Sequence, residues 1–383
     1  MEKVSESIIN IGVNDYTIDL FEGQYPVEHG MAYNSYIILD EKIAVMDTVD
    51  ARASEEWITS LQKVLGDRTP DYVIVQHMEP DHSASLQLLK DMYPSVTIVT
   101  SLPASNMMKQ FFSPGITAGA MIIKEGDTLS LGSHTLTFVA APMIHWPEVM
   151  MTYEASEKIF FSADAFGRFG TRDADVEWKE EARDYYINIV GKYGMQVQKL
   201  LQKAASLDIS CICPLHGPVL TGDLAPYLAL YHTWSSYTPE KKGVLIACAS
   251  AHGNTLTAAG MLQDILKEKN VETKLIDLTR EDVHEAVSAA FEYDRLVLCA
   301  ITYDGGLFPA MEHFLSLLKA KNFRNRNAVI IENGSWAPMA GKLMRAALEG
   351  MTDITVQEPV ITIRSKANDA NIAAFKDLAE KWS

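Results

Sequence analysis

The stretch HMEPDHSAS, residues 77–85, sets two histidines, a glutamate and an aspartate within six consecutive positions. So many ionisable side chains in one place call for an external charge, and a metal ion is the one that imidazole and carboxylate share as ligands. Pro80 is expected to break any helix through them. That leaves His77, Glu79, Asp81 and His82 on a loop after the apolar run DYVIVQ, where alternate residues can converge. His145 in APMIHWPEVM, Asp164 in FFSADAFG and His216 in CICPLHGPV each follow an apolar run and precede a turn. Ligands drawn from the ends of several strands are how one sheet edge builds a site. Seven groups exceed the shell of a single ion, so two ions are expected with one carboxylate between them, and Asp164 is the natural bridge. Four imidazoles and three carboxylates with no thiolate suit iron or manganese and also accommodate zinc.

A second set of loops suggests a phosphorylated ligand with a flat ring. SAHGNT, residues 250–255, follows the strand-like GVLIACA and opens a helix. Ser250, His252, Gly253, Asn254 and Thr255 offer hydroxyls, an amide and backbone N–H groups at a helix N-terminus, a cradle for a dianionic phosphate. A nucleoside triphosphate is not indicated, because the loop lacks the Gly-Lys-Ser/Thr of a Walker motif. TYDGG supplies Thr302, Tyr303, Asp304, Gly305 and Gly306, and ENGSWAP supplies Asn333, Gly334, Ser335, Trp336 and Ala337. Each gives glycines for close backbone approach and one aromatic to lie near a ring. Three such loops at strand C-termini are where an open α/β sheet binds ligands.

The elements that must carry these loops fall into two halves. Apolar runs KIAVMDTV, YVIVQH, VTIVTS, TLTFVAAP and KIFFSADA dominate the first, with helices expected near residues 52–65 and 179–206. From residue 243, GVLIACAS, ETKLIDLT, RLVLCAIT and NAVIIENG alternate with helical stretches near 254–268, 281–291, 308–321 and 337–349. Such βα alternation predicts a parallel sheet covered on both faces. The polar stretch SYTPEKKG lies between the halves and reads as a linker, giving domains of 1–240 and 243–383.

Bulk properties agree with a globular chain of two domains: 383 residues, 48% hydrophobic and 22% charged. With 50 acidic residues against 33 basic, the net charge of −17 disfavours nucleic acid and anionic membranes. No apolar run is long enough to span a bilayer and no signal pattern opens the chain, so a cytoplasmic protein is expected. Cys211, Cys213, Cys248 and Cys299 contain no Cys-x-x-Cys pair and are expected as buried thiols.

The ligand spacing, His-x-Glu-x-Asp-His, then 62 residues, His, then 18, Asp, then 51, His, resembles the metallo-β-lactamase-like domain of flavodiiron proteins. Hydrolases of that superfamily usually carry His-x-His-x-Asp-His, so Glu79 is the informative departure: a harder, anionic oxygen favours iron. The loops of the second half resemble those that bind FMN in flavodoxin, and flavodiiron proteins join these two modules in this order. The resemblance covers nearly the whole chain. It implies an α/β protein in which a metallo-β-lactamase-like αββα sandwich precedes a flavodoxin-like doubly wound parallel sheet.

It further implies one iron held by His77, Glu79 and His145, the other by Asp81, His82 and His216, with Asp164 and an oxo or hydroxo group between them. The implied activity is reduction of O2 to water, of NO to N2O, or of both, with electrons passed through FMN. A head-to-tail homodimer or a dimer of dimers would bring the flavin of one subunit beside the irons of the other, with Trp146 and Trp336 near it. Because the cysteines do not form a rubredoxin-like segment, the electron donor is expected to be external, rubredoxin or a reduced deazaflavin. Tyr186 matches a tyrosine lining the pocket for the diatomic substrate. His29 sits one position from a histidine found near the irons in some relatives, and Phe169 in GRFG stands near where others have a histidine. Two other readings compete: a zinc hydrolase with an accessory flavodoxin domain, and an electron carrier without turnover at the metals.

Overall fold

A computed structural model describes residues 1–383. Its contacts divide into two units, Met1–His232 and Thr233–Ser383, so the division falls ahead of the linker stretch, within the helix Ala225–Ser235.

In the first unit two mixed sheets face one another. One runs in the order Glu2–Lys3, Ile8–Asn10, Tyr36–Ile38, Ala44–Met46, Tyr72–Val75, Thr97–Ser101, Met121–Ile123. It is antiparallel up to Ala44–Met46 and parallel beyond. The other runs Thr128–Ser130, Thr135–Ala140, Met150–Glu154, Ile159–Phe161, Cys211–Cys213, Leu220–Thr221. The core is the layer between them, where Ile8, Ile38, Met46, Ile74 and Val99 meet Leu136, Phe138, Phe161 and Cys213. The parallel strand Tyr72–Val75 reads YVIV because nearly all of it is buried, leaving no polar alternation. Flanking helices are amphipathic. Ser54–Leu65 buries Trp57, Leu61 and Leu65, spaced four apart on one face, and ends at Gly66, whose φ of 58° ordinary residues adopt at a cost.

The expected helix over 179–206 is interrupted. Trp178–Tyr185 is α-helical, Tyr186–Val190 is a π-turn, Gly191–Tyr193 is 3-10, and Gly194–Ala204 resumes the α-helix. All five residues YINIV of the π segment are buried, including polar Asn188, whose Nδ2 donates to the Asp184 carbonyl at 2.9 Å. The loop expected at residues 77–82 is also revised. Pro80 does not break a helix there; it starts one, Pro80–Ser83, because proline at the first helical position lacks an N–H that would be unsatisfied anyway.

The second unit is a parallel sheet in the order Thr273–Asp277, Lys241–Ala249, Tyr293–Tyr303, Arg324–Asn333, Thr352–Val356. The chain thus visits its strands spatially as 2-1-3-4-5, the flavodoxin order. Ile361–Ile363 extends the last position beside Ile331–Asn333. One face packs Val244, Ile246, Cys248, Val297 and Val329 against Leu262 and Leu266, with Phe375 and Trp382 from the C-terminal helix Asp369–Trp382. All four cysteines are buried and free. No helix is long and apolar enough to cross a membrane.

Candidate dimetal centre and flavin loops

The strand Tyr72–Val75 ends at Gln76, and the chain then turns so that His77 and Glu79 face inward. Asp47, at the end of the neighbouring strand, fixes that turn. Its carboxylate accepts from Gln76 N at 2.7 Å and Gln76 Nε2 at 2.8 Å. Asp47 itself has φ 54° and is fully buried, which raises its carboxyl to about 6. The first turn of Pro80–Ser83 presents Asp81 and His82, and Thr48 Oγ1 ties it down through the His82 carbonyl at 2.7 Å. His145 lies in the loop between Thr135–Ala140 and Met150–Glu154, and Asp164 follows Ile159–Phe161. His216 follows Cys211–Cys213, where Tyr36 Oη and Asn34 Nδ2 both donate to the Pro214 carbonyl. Gly217 must be glycine: φ is 74°, and a Cβ would stand 2.6 Å from Arg168 Cγ.

The seven side chains converge as two groups, His77, Glu79, His145 and Asp164 in one and Asp81, His82 and His216 in the other. Within each, the ligand atoms lie within 4.8 Å of one another. Glu79 Oε2 is 2.9 Å from His145 Nε2 and 3.2 Å from His77 Nε2. Asp81 Oδ2 is 3.2 Å from both His82 Nε2 and His216 Nε2, which stand 3.0 Å apart. Asp164 faces both groups, Oδ2 toward His77 at 3.3 Å and His145 at 3.1 Å, Oδ1 toward His82 at 3.1 Å and His216 at 3.7 Å.

Two metal ions fit this cradle on two grounds. Donors bound to one ion at about 2.1 Å stand roughly 3.0–3.4 Å apart in octahedral or tetrahedral geometry, the spacing found here. Both Asp81 oxygens and Asp164 Oδ1 are buried with no hydrogen-bond partner, a cost that a cation removes. Without the ions the imidazoles and carboxylates must stabilise one another. Burial works against the charged imidazole of His145, yet Asp164 and Glu79 raise it to about 9. Against the same burial, hydrogen bonds from His145 and His77 hold Glu79 well below the usual carboxylate range.

Three features escaped the sequence reading. Buried Glu148 stands behind His77, its Oε1 2.9 Å from Nδ1. A short hairpin, Leu20–Phe21 with Tyr25–Pro26, turns through Glu22 and Gly23 at positive φ and overhangs the centre. Its Phe21 ring lies 5.4 Å from His216, and Glu22, Tyr33 and Arg52 join Glu79 and Asp81 around a mouth of about 330 Å³. The third is a tyrosine. Tyr186 packs edge-on to Tyr231 at 5.0 Å, while Tyr185 is the one against His216, 5.4 Å between rings. Burial, then Asp164, Asp81 and Glu79, push the Tyr185 phenol well above its ordinary value, and its hydroxyl is buried without a hydrogen-bond partner. As neighbours on a helix the two tyrosines point about 100° apart, so only one of them faces His216. Phe169 packs on Tyr185 at 5.2 Å. Trp146 stands edge-on to His77 at 5.3 Å. His29 is exposed and outside both ligand groups, engaged through its carbonyl with Thr171 N.

In the second unit the three expected loops border one pocket, lined by Ser250, His252, Asn254, Thr255, Thr302 and Asn333–Trp336, with Ser365 as an unforeseen fourth wall. Gly253, at φ 83°, turns the chain into Asn254–Glu268 and aims that helix's N-terminus at the pocket. Two residues brace loops: Thr302 Oγ1 accepts from Met339 N and Ala340 N at 2.8 and 3.0 Å, and Asn333 Nδ2 donates to Thr255 Oγ1 and the Ser365 carbonyl. Asp304 and Gly305 form the turn at positive φ that returns the chain through Gly306. Tyr303 is half exposed against Phe308, and Trp336 is 82% exposed. Ser335 and Ala337 flank it. An open, polar pocket at a helix N-terminus with an indole at its rim fits a phosphorylated flavin.

A protein family described as ODP family beta lactamase matches residues 31–217, which include all seven ligand candidates. The chain is 27% identical to the nitric oxide reductase of Moorella thermoacetica over 99% of its own length and 97% of that protein's. It superimposes on the rubredoxin oxygen:oxidoreductase of Desulfovibrio gigas with a TM-score of 0.91 at 25% identity, covering 99% of this chain and 97% of that one. The fold is also that of the flavodiiron protein of Giardia intestinalis, TM-score 0.89 at 23% identity. The likeness runs through both units, so over nearly its whole length the chain is similar to flavodiiron proteins and shares their two-domain fold.

Proposed function

We propose that this protein reduces O2 to water, NO to N2O, or both, at two iron ions held by His77, Glu79, Asp81, His82, His145, Asp164 and His216. Electrons would arrive through FMN from an external donor. The observation that carries the reading is Asp164, one oxygen toward each ligand group, beside Glu79 where hydrolases of the superfamily place a histidine. The iron pair would supply the site where a diatomic oxidant is reduced, and FMN the means to take two electrons and release them singly.

The chain's own residues do the rest. Asp164 holds both positions at fixed separation. The hairpin bearing Phe21 and Glu22 lines the mouth through which a substrate would reach Glu79 and Asp81. Tyr185 keeps its proton at neutral pH and has no protein acceptor, so its hydroxyl is available to donate to the substrate. Ser250, Asn254 and Thr255 would hold the flavin phosphate at the helix N-terminus, and Tyr303 and Trp336 would flank the ring. A head-to-tail dimer would bring the flavin of one subunit to the metals of another, and rubredoxin or a reduced deazaflavin is the donor supported by the family. The deciding assay follows O2 and NO consumption side by side, with iron-loaded, FMN-replete protein and each donor. Consumption of neither, with zinc as the metal that supports ester or amide cleavage, would reverse the reading in favour of the hydrolase.

A further inference from the structure

The donor charges alone do not distinguish the two metal positions. Each has one carboxylate of its own, Glu79 or Asp81, and both share Asp164. What stands behind the imidazoles does differ. His77 Nδ1 is 2.9 Å from Glu148 Oε1, which also accepts from Met78 N at 2.9 Å. Ser101 Oγ pins the same residue by donating to the Glu148 carbonyl at 2.9 Å. The Glu148 side chain has no exposed surface, and its Oε2 is buried without a hydrogen-bond partner. Behind His216 there is only the neutral Ala32 carbonyl, 2.8 Å from Nδ1, and His82 Nδ1 is buried with no partner at all.

We infer that Glu148 is a positioning residue that makes the two metal positions unequal: the His77, Glu79 and His145 position binds its ion more tightly and is the harder of the two to reduce. A carboxylate behind a ligating imidazole fixes the Nδ1–H tautomer, aims Nε2 at the metal and raises the basicity of that nitrogen. A carbonyl does this more weakly, because it brings no net charge. The surroundings are dry, so the anion is poorly screened, and its second oxygen spends none of the charge on another donor. The inequality rests on the two-metal reading proposed above, but its consequences can be read without turnover.

The test uses the full chain stripped of metal and titrated anaerobically with iron(II), and in parallel with cobalt(II), whose visible bands report coordination. The expected wild-type result is two resolved binding steps. Glu148→Gln preserves an acceptor for His77 Nδ1–H and for Met78 N while removing the charge. It should weaken the tighter step by about 10- to 100-fold and leave the weaker one in place. In a redox titration of the iron-loaded protein the lower-potential step should move upward and the other should stay. Two equal steps in the wild type, or a Glu148→Gln protein with wild-type binding and potentials, would overturn the inference, as would equal movement of both steps. Should Glu148→Gln fail to fold, Glu148→Asp, which keeps the charge but withdraws it by one methylene, should shift the tighter step alone; an unchanged tighter step would count against the role. Iron-loaded wild type that consumes neither O2 nor NO would remove the proposed function and leave both binding steps readable.

Discussion

Tyr185 shows how far a single side chain can be read. Its hydroxyl is buried without a protein acceptor beside three carboxylates, and desolvation keeps it protonated. Tyr185→Phe should therefore leave iron and FMN content unchanged while slowing turnover about 10²-fold, the low end of what a positioned proton donor contributes. An unaltered rate with intact metal content would mean that the phenol only fills space. The sequence pointed to its neighbour Tyr186 through the family resemblance, and in the fold it is Tyr185 whose ring packs against His216 while Tyr186 packs on Tyr231. The seven ligand candidates were legible by contrast, since four ionisable groups in HMEPDH make no sense in a solvated loop. Glu148 carried no such signal. One glutamate in HWPEVM looks like any surface acid until folding buries it against His77.

At the scale of elements, the end of the sandwich opposite the ligand-bearing loops is joined by a charged staple. His134, leading into Thr135–Ala140, has Nδ1 2.7 Å from Asp40 Oδ2 and Nε2 3.0 Å from Glu157 Oε1 and 3.1 Å from Ser7 Oγ. Burial opposes the charged imidazole, but Glu157 and Asp40 raise it above the ordinary 6.5. Its contribution is thus complete below pH 6.5 and lost as pH rises through the folded value. Asp40 and Glu157 are held below 3.8 and 4.5, despite burial, by hydrogen bonds that include His134, so their share is lost as the solution turns acid. The staple should be strongest between pH 4.5 and 6.5. Because the groups are partly solvated, it is worth at most about 1 kcal/mol, or no more than about 3 °C in a unit of this size. His134→Gln should lower the melting temperature most at pH 5.5 and least above pH 9. A pH-independent deficit would contradict the electrostatic account.

The long, strongly apolar strands and periodic helices of the second unit were readable because the βα rhythm repeats. The two- and three-residue strands near the N-terminus, such as Tyr25–Pro26 and Val13–Asp15, were not, since three residues carry no period. Their pairing is set by tertiary contacts, and so the overhanging hairpin with Glu22 came to light only in the fold.

For the whole molecule, two cores and two ligand sites predict two separable stabilities. A ligand that binds only the folded form adds RT ln(1 + [L]/Kd), about 2.7 kcal/mol at a hundredfold excess over Kd. Chelating the metals should lower the melting transition of Met1–His232 and leave that of Thr233–Ser383 in place, while stripping FMN should do the reverse. Calorimetry on the four loading states resolves this, and a single transition that moves with either ligand would show the two cores to be one cooperative unit.

Trp336 gives the molecule one property more. Five of the six tryptophans are buried or half-buried, and this one stands 82% in water at the rim of the flavin pocket. An indole so placed glows at the red edge of protein emission, and an isoalloxazine settling beside it would drain that light. The chain therefore carries its own optical gauge of whether the pocket is filled.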